Sequence, residues 1–210
     1  MSRPIRARFD TAALAHNLGV VRRAAPASRV WAVVKANAYG HGLLCAASAL
    51  RAADGFALLE IGEAARLREA GFAHPILLLE GAFAPQDYEA IDSLHLTPVV
   101  HQLEQLEMLE HATVRRPLDV YLKCNSGMNR LGFRGAAVMR AHQRLRALKQ
   151  VKSVTLMTHF ADADGPGGVD TQLAEFEASC RGLEGARSLA NSAATLRFPQ
   201  AHGDWVRPGI

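Results

Sequence analysis

No apolar run in this chain is long enough to cross a bilayer. The first residues, Met1-Ser2-Arg3-Pro4-Ile5-Arg6, lack the apolar centre of a signal peptide. Cysteine is scarce. Cys45, Cys124 and Cys180 are odd in number and far apart, which argues against a disulfide framework and against metal-ligand spacing. They read as reduced thiols of a cytoplasmic protein, with Cys180 on an apolar helix face. Aromatics make up only 6% of the chain, and the net charge of +4 is spread without any basic block. That pattern speaks against a nucleic-acid partner and suits a small anionic ligand. No G-x-G-x-x-G follows a strand-like run, so the dinucleotide fingerprint is missing. No linker or low-complexity segment divides residues 1–210, so one domain is expected. Nor does a helix or polar tail follow Trp205-Val206-Arg207-Pro208-Gly209-Ile210, which suggests a truncated domain.

What is present is a regular beat. Apolar, mostly continuous runs begin near Val30, Gly55, Ile76, Thr97, Leu118, Val154, Arg187 and Asp204. Continuous runs suit parallel strands covered on both faces. Helical spacing separates most of them: Ile61, Ala64 and Leu67 with Gly71 as a stop; Leu103, Leu106 and Leu109; Val138, His142, Leu145 and Leu148; Leu173, Phe176, Cys180 and Leu183. A further helix is expected from Pro85 to Leu94 and a short segment from Thr195 to Phe198. Ahead of the beat, Ile5, Ala7 and Phe9 alternate as a half-exposed strand over residues 4–9. Asp10 then caps a helix marked by Leu14, Leu18 and Val21. Eight strand–helix units predict an α/β fold, a (β/α)8 TIM barrel ending at its eighth strand, with an open doubly wound sheet as the alternative.

In such barrels the chemistry gathers at the C-terminal ends of the strands. Those ends carry Lys35, Lys123, His159, Asn191-Ser192 and Arg207-Pro208-Gly209-Ile210. A lone lysine at a strand end more often snorkels to water than reacts. Five equipped strand ends meeting at one mouth favour instead a desolvated amine that forms a Schiff base. Ser192 and the backbone N–H groups of Gly209 and Ile210 can approach an anion after the seventh and eighth strands. A Schiff-base lysine beside a phosphate pocket suggests pyridoxal 5'-phosphate (PLP).

The run Val33-Val34-Lys35-Ala36-Asn37-Ala38-Tyr39-Gly40-His41-Gly42 resembles the cofactor-lysine signature of bacterial alanine racemases. Met128-Asn129-Arg130-Leu131-Gly132-Phe133, His159-Phe160-Ala161-Asp162, Asn191-Ser192-Ala193-Ala194 and Arg207-Pro208-Gly209-Ile210 resemble that family's later motifs, in the same order. The resemblance implies a PLP-binding barrel over residues 1–210, without the family's C-terminal β domain. Its implied activity is interconversion of L- and D-alanine, feeding D-alanine to peptidoglycan, in a cytoplasmic homodimer. It implies that Lys35 holds the cofactor and acts as one base. Tyr39, Asn191, Ser192, Gly209 and Ile210 fall to the cofactor, most of them at its phosphate. Arg207 faces the pyridine nitrogen, His159 lies against the ring, and Arg130 reaches the substrate. Lys123 takes the position carbamylated in some members, with Asn125 where many relatives have Asp. The second base of the family is a tyrosine from the partner subunit's C-terminal domain. The fragment alone is therefore expected to be inactive. A broad-specificity amino-acid racemase and a single-domain PLP carrier are the alternatives.

Other signals carry less. His142 on an apolar helix face reads as a packing residue, and Trp31 and Trp205 as barrel filling. Asp162-Ala163-Asp164-Gly165 departs from a calcium loop at Pro166 and Leu173. Glu60 and Glu80 are as readily helix caps as mouth residues.

Overall fold

In the computed structural model, which describes residue 4 and residues 7–209, the strands follow the expected beat. They are β1 (Arg29–Val33), β2 (Gly55–Leu58), β3 (Ile76–Leu78), β4 (Leu96–Val100), β5 (Leu118–Lys123), β6 (Val151–Met157), β7 (Arg187–Ser188) and β8 (Trp205–Val206). All paired neighbours are parallel, in the order β7-β6-β5-β4-β3-β2-β1-β8. The ring closes between β7 and β8 through separate bonds: Asp204 N–H to Arg187 O at 2.8 Å and Arg207 N–H to Ala190 O at 2.9 Å. This is a (β/α)8 barrel.

The helices are α1 (Thr11–Ala24), α2 (Lys35–Tyr39), α3 (Leu43–Ala49), α4 (Ile61–Glu69), α5 (Asp87–Ser93), α6 (Leu103–His111), α7 (Ala136–Ala147), α8 (Asp170–Ser179) and α9 (Ser192–Arg197). Asp10 caps α1 as expected, its Oδ1 accepting from Ala12 N–H at 3.0 Å and Ala13 N–H at 3.1 Å. Gly71 stops α4 with φ +81°. The helix marked by Leu173 to Leu183 ends sooner, at Ser179, because Cys180 leaves helical geometry and Gly182 turns with φ +76°. Of the strand expected over 4–9, residues 5 and 6 lie outside the described residues, and residues 4 and 7–9 are not in a strand. Three short helical segments among the described residues were not expected: α2, in what reads as a Gly-rich turn, α3, where a run of small residues hides the periodicity, and a 3-10 turn over Pro199–Ala201.

Side chains alternate across the sheet. Trp31, Val33, Ala57, Leu77, Val99, Tyr121, Met157 and Trp205 fill the barrel interior as one cluster. Val30, Ala32, Val34, Phe56, Leu58, Ile76 and Leu78 face outward into the larger core under the helices. At the N-terminal end Trp31 stacks on Trp205, ring centroids 4.3 Å apart, and its Nε1 donates to the Tyr121 hydroxyl at 2.8 Å. Gly55 makes room for this plug, since a Cβ there would lie 2.2 Å from the Trp31 ring.

Candidate active site

The inward phase of the strands continues past their ends. Trp31 and Val33 lead to Lys35, Ala57 to Leu59, Leu77 to Leu79, Tyr121 to Lys123, Met157 to His159, and Trp205 to Arg207 and Gly209. All the end points line one cavity of about 230 Å³ at the C-terminal mouth, together with Tyr39, Glu80, Arg130, Asn191 and Ser192. One phase relation thus brings the sequence-expected groups together.

Lys35 opens α2, which is not an ordinary helix. Ala36, Asn37, Ala38 and Tyr39 are all left-handed, with φ between 53° and 55°. Each such non-glycine residue costs about 1–2 kcal/mol relative to right-handed backbone. The turn places Lys35 and Tyr39 together: the Lys35 Nζ lies 6.0 Å from the Tyr39 ring centroid. The Tyr39 hydroxyl in turn reaches the final segment, where a Cβ on Gly209 would lie 2.7 Å from it. A side chain at Gly209 would push the Tyr39 hydroxyl aside.

Arg207 is buried, and its terminal nitrogens are fully committed. Nη1 donates to Ser188 O at 2.6 Å and Ser188 Oγ at 2.7 Å; Nη2 donates to Thr158 O at 2.5 Å and Leu189 O at 3.2 Å. Burial lowers its pKa to about 10, so it remains a cation at neutral pH. Its four protein bonds leave Nε as the uncommitted donor among the described residues.

Lys123 is buried, and burial, followed by the charges of Arg207 and Arg130, pulls its pKa down to about 8 against an opposing pull from Glu80. His159 is pushed down to about 3 by burial, then by Arg207, Lys123, Arg130 and Lys35. It is a neutral imidazole. Arg130 is exposed at the lip of the cavity. Lys35, Lys123, Arg130 and Arg207 thus surround a small cavity that has one carboxylate, Glu80. Such a wall favours an anion.

Beside β1, where Gly209 bridges to Val33, the Gly209 N–H donates to Ser192 Oγ at 2.8 Å. Asn191 lines the cavity, but its amide is engaged. Its Oδ1 accepts from Ala194 N–H at 2.9 Å, capping α9, and its Nδ2 donates to Phe160 O at 3.2 Å. Asn191 therefore fixes the loops after β6 and β7 relative to each other. Asn125 is likewise engaged, its Oδ1 accepting from Gly127 N–H at 3.1 Å and Asn129 N–H at 3.0 Å. Ile210 lies outside the described residues.

Sequence reasoning missed Leu59, Leu79 and Met157, which the inward phase would have placed, and left Glu80 undecided. Glu80 faces the cavity, and Glu60 caps α4 without a side-chain bond. His142 is a packing residue, with Nε2 2.8 Å from Glu184 O.

The sequence model of the alanine racemase N-terminal domain matches residues 9–210. The chain is 57% identical over its full length to an alanine racemase of Paraburkholderia phytofirmans and spans 59% of that protein. It is 53% identical to the catabolic alanine racemase of Salmonella typhimurium, again over 59% of the relative. Among solved structures, the biosynthetic alanine racemase of Pseudomonas aeruginosa superposes with a TM-score of 0.91 at 45% identity, covering 96% of this chain and 57% of that one. A histidine racemase from Leuconostoc mesenteroides superposes with a TM-score of 0.82 at 28% identity, covering 95% of this chain and 56% of that one. The chain thus spans less than two thirds of these relatives.

Proposed function

Because this chain belongs to the alanine racemase N-terminal domain family, we propose that it is the cofactor-binding barrel of a PLP-dependent alanine racemase, an isomerase. The observation that carries the reading is the convergence of Lys35, Lys123, His159 and Arg207 on one cavity through the inward phase of their strands. The cavity fits the cofactor. It offers an amine, an electropositive wall, and a Gly209–Ser192–Tyr39 corner in which a side chain on Gly209 would collide with the tyrosine.

Lys35 would hold the cofactor; Tyr39, Ser192 and Gly209 would hold its phosphate, with Ile210 adjoining. Bound there, pyridoxal phosphate supplies an electron sink that acidifies the Cα–H of an attached amino acid. Arg207 would face the ring nitrogen. A guanidinium does not surrender its proton, so Arg207 would meet that nitrogen as a hydrogen-bond donor and not as a proton source. That arrangement would suit racemisation over transamination. Neutral His159 packs beside the ring site without adding charge. Lys35 moves the proton on one face of Cα, and Arg130 at the lip would meet the substrate carboxylate. Racemisation needs a proton on the opposite face as well. We assign that second group to a residue outside this barrel, on the partner subunit of a homodimer.

Lys123, with its lowered pKa, presents a partly neutral amine at neutral to mildly alkaline pH. Such an amine adds to carbon dioxide, forming an N–C bond and releasing a proton; the carbamate would orient Arg130. Carbon-13 NMR of the protein in labelled bicarbonate would show a carbamate resonance lost in Lys123→Met. The D-alanine formed would supply peptidoglycan synthesis in the cytoplasm.

The central test is covalent. Borohydride reduction in the presence of pyridoxal phosphate should fix the cofactor on Lys35, read by peptide mass spectrometry. Fixation on Lys123 or Lys149 instead would overturn the reading. The barrel shared with a histidine racemase keeps a broader amino-acid racemase in view, and turnover of a panel of L-amino acids by the full-length enzyme decides the substrate.

A further inference from the structure

The run Ala36–Tyr39 is the one place among the described residues where consecutive non-glycine residues are left-handed. Backbone of this kind persists where its surroundings over-determine it. Part of the support is internal. Ala38 N–H donates to Val34 O at 2.9 Å, His41 N–H to Ala38 O at 3.0 Å and Gly42 N–H to Asn37 O at 2.9 Å. The Asn37 N–H points elsewhere, to Glu63 Oε1 on α4 at 2.6 Å. The Asn37 side chain continues the tie, its Oδ1 accepting from Leu43 N–H at 2.9 Å at the start of α3. Asn37 is thus held from both sides.

Glu63 has a second feature. Its other oxygen, Oε2, is buried without a hydrogen-bond partner among the described residues. A buried, unpaired carboxylate oxygen is costly, and an apolar side chain would fill the space without that cost. Keeping a carboxylate there makes sense if its first oxygen is needed. Glu63 does not line the cavity; it reaches the cavity only through the turn that carries Lys35 and Tyr39.

We propose that Glu63 is a positioning residue: its carboxylate clamps the left-handed turn at Asn37 and so aims Lys35 and Tyr39 into the cofactor cavity. The inference rests on the assignment of Lys35 as the cofactor lysine. The clamp itself can be read without it.

The test compares this chain with Glu63→Leu and Glu63→Gln by two readouts, both at matched distance below the melting temperature. Hydrogen-exchange mass spectrometry follows the peptide from Lys35 to Gly42, and borohydride trapping with pyridoxal phosphate follows the rate of Lys35 labelling. Glu63→Leu should speed exchange in that peptide by about tenfold or more and slow Lys35 labelling, as expected when a local opening becomes easier. Glu63→Gln should restore both, because its amide oxygen still accepts from Asn37. Unchanged exchange in Glu63→Leu, unchanged Lys35 labelling, or failure of Glu63→Gln to rescue either would overturn the proposal. If Glu63→Leu does not fold, Glu63→Asp must show the same loosening, since it draws the acceptor back while keeping the charge; unchanged exchange in it overturns the proposal equally. If the unaltered chain traps no cofactor on Lys35, the functional reading fails, and the exchange data still decide the clamp.

Discussion

Single side chains decide the electrostatics of this cavity. Arg207 is the clearest case, because its guanidinium fork spans carbonyls of Thr158, Ser188 and Leu189 at once. A lysine ammonium cannot reach all three. Arg207→Lys should therefore destabilise the barrel by about 1–3 kcal/mol, the cost of leaving a buried acceptor unpaired, read from urea unfolding midpoints. His159 gives a pH dependence. Its folded pKa of about 3 lies below the ordinary 6.5. Between those values the unfolded histidine binds a proton that the folded one does not, so stability rises with pH across the window and is lost as pH falls through it. Urea midpoints measured across that range should rise with pH less steeply in His159→Gln than in the native chain, since the paired carboxylates Asp92 and Glu110 keep their own share of the slope. Equal slopes in the two proteins would remove His159 as the cause. The residue type and strand-end position of Lys35, Lys123, His159 and Arg207 were legible in the sequence. Their meeting at one mouth followed from the barrel reading as well; what the sequence left open was which of the two alternating phases along each strand faces inward, and hence the apolar lining at Leu59, Leu79 and Met157.

That phase belongs to the elements. The eight strands could be located from their apolar runs alone, since buried parallel strands have little else to display. Their inward set is fixed only in the closed ring, where Trp31, Tyr121 and Trp205 take the N-terminal layer and small neighbours accommodate them. Gly55 is one of these. A methyl group there would press into the Trp31 ring and lie 3.0 Å from Pro75 O. Gly55→Ala should cost about 1–3 kcal/mol, as overpacking of a filled core does, and Trp31→Phe in the same chain should recover part of it. Thermal melts of the single and double variants check this; additive losses would show that the ring is not what the methyl group meets. The segment after β1 was the least legible. Nothing in Ala36-Asn37-Ala38-Tyr39 announces left-handed backbone, because alanine and tyrosine ordinarily avoid it. The bond that holds it comes from Glu63, on a different helix. Glu80 escaped for a related reason: it lies just beyond β3, out of the inward phase, and faces the mouth through the path of the loop.

For the whole molecule, the barrel would, on the proposed function, provide one half of a two-sided reaction. It gathers the cationic wall, the lysine and the glycine corner at one mouth, and the same architecture serves proteins described as alanine and histidine racemases. The barrel frame by itself therefore does not discriminate the substrate, which places discrimination in the lining and in whatever covers the mouth. Lys35 sits at the end of β1 and can approach a bound Cα from its own side only. Besides Glu80, Arg130 and Tyr39, the other titratable groups on the cavity wall are Lys123 and Arg207, which are buried within the wall, and His159, which is too weak a base to take the proton. Tyr39 lies beside Lys35 rather than opposite it, and burial raises its pKa. Lys123 ends β5, across the ring from β1, with its pKa lowered to about 8, but it is committed to the proposed carbamate that orients Arg130, which leaves no assigned group on the opposite face of Cα. The 210-residue chain should accordingly bind pyridoxal phosphate on Lys35 yet racemise L-alanine far more slowly than a longer relative such as the alanine racemase of Paraburkholderia phytofirmans. Loss of one of two acid–base groups costs about 10²- to 10⁴-fold. Deuterium incorporation at Cα adds a sharper check, because a single base can exchange the Cα proton on one face without inverting the centre. Exchange with retained configuration in the isolated chain, measured by NMR in deuterated buffer, is the expected signature. Rapid formation of D-alanine by that chain would place the second base inside the barrel after all.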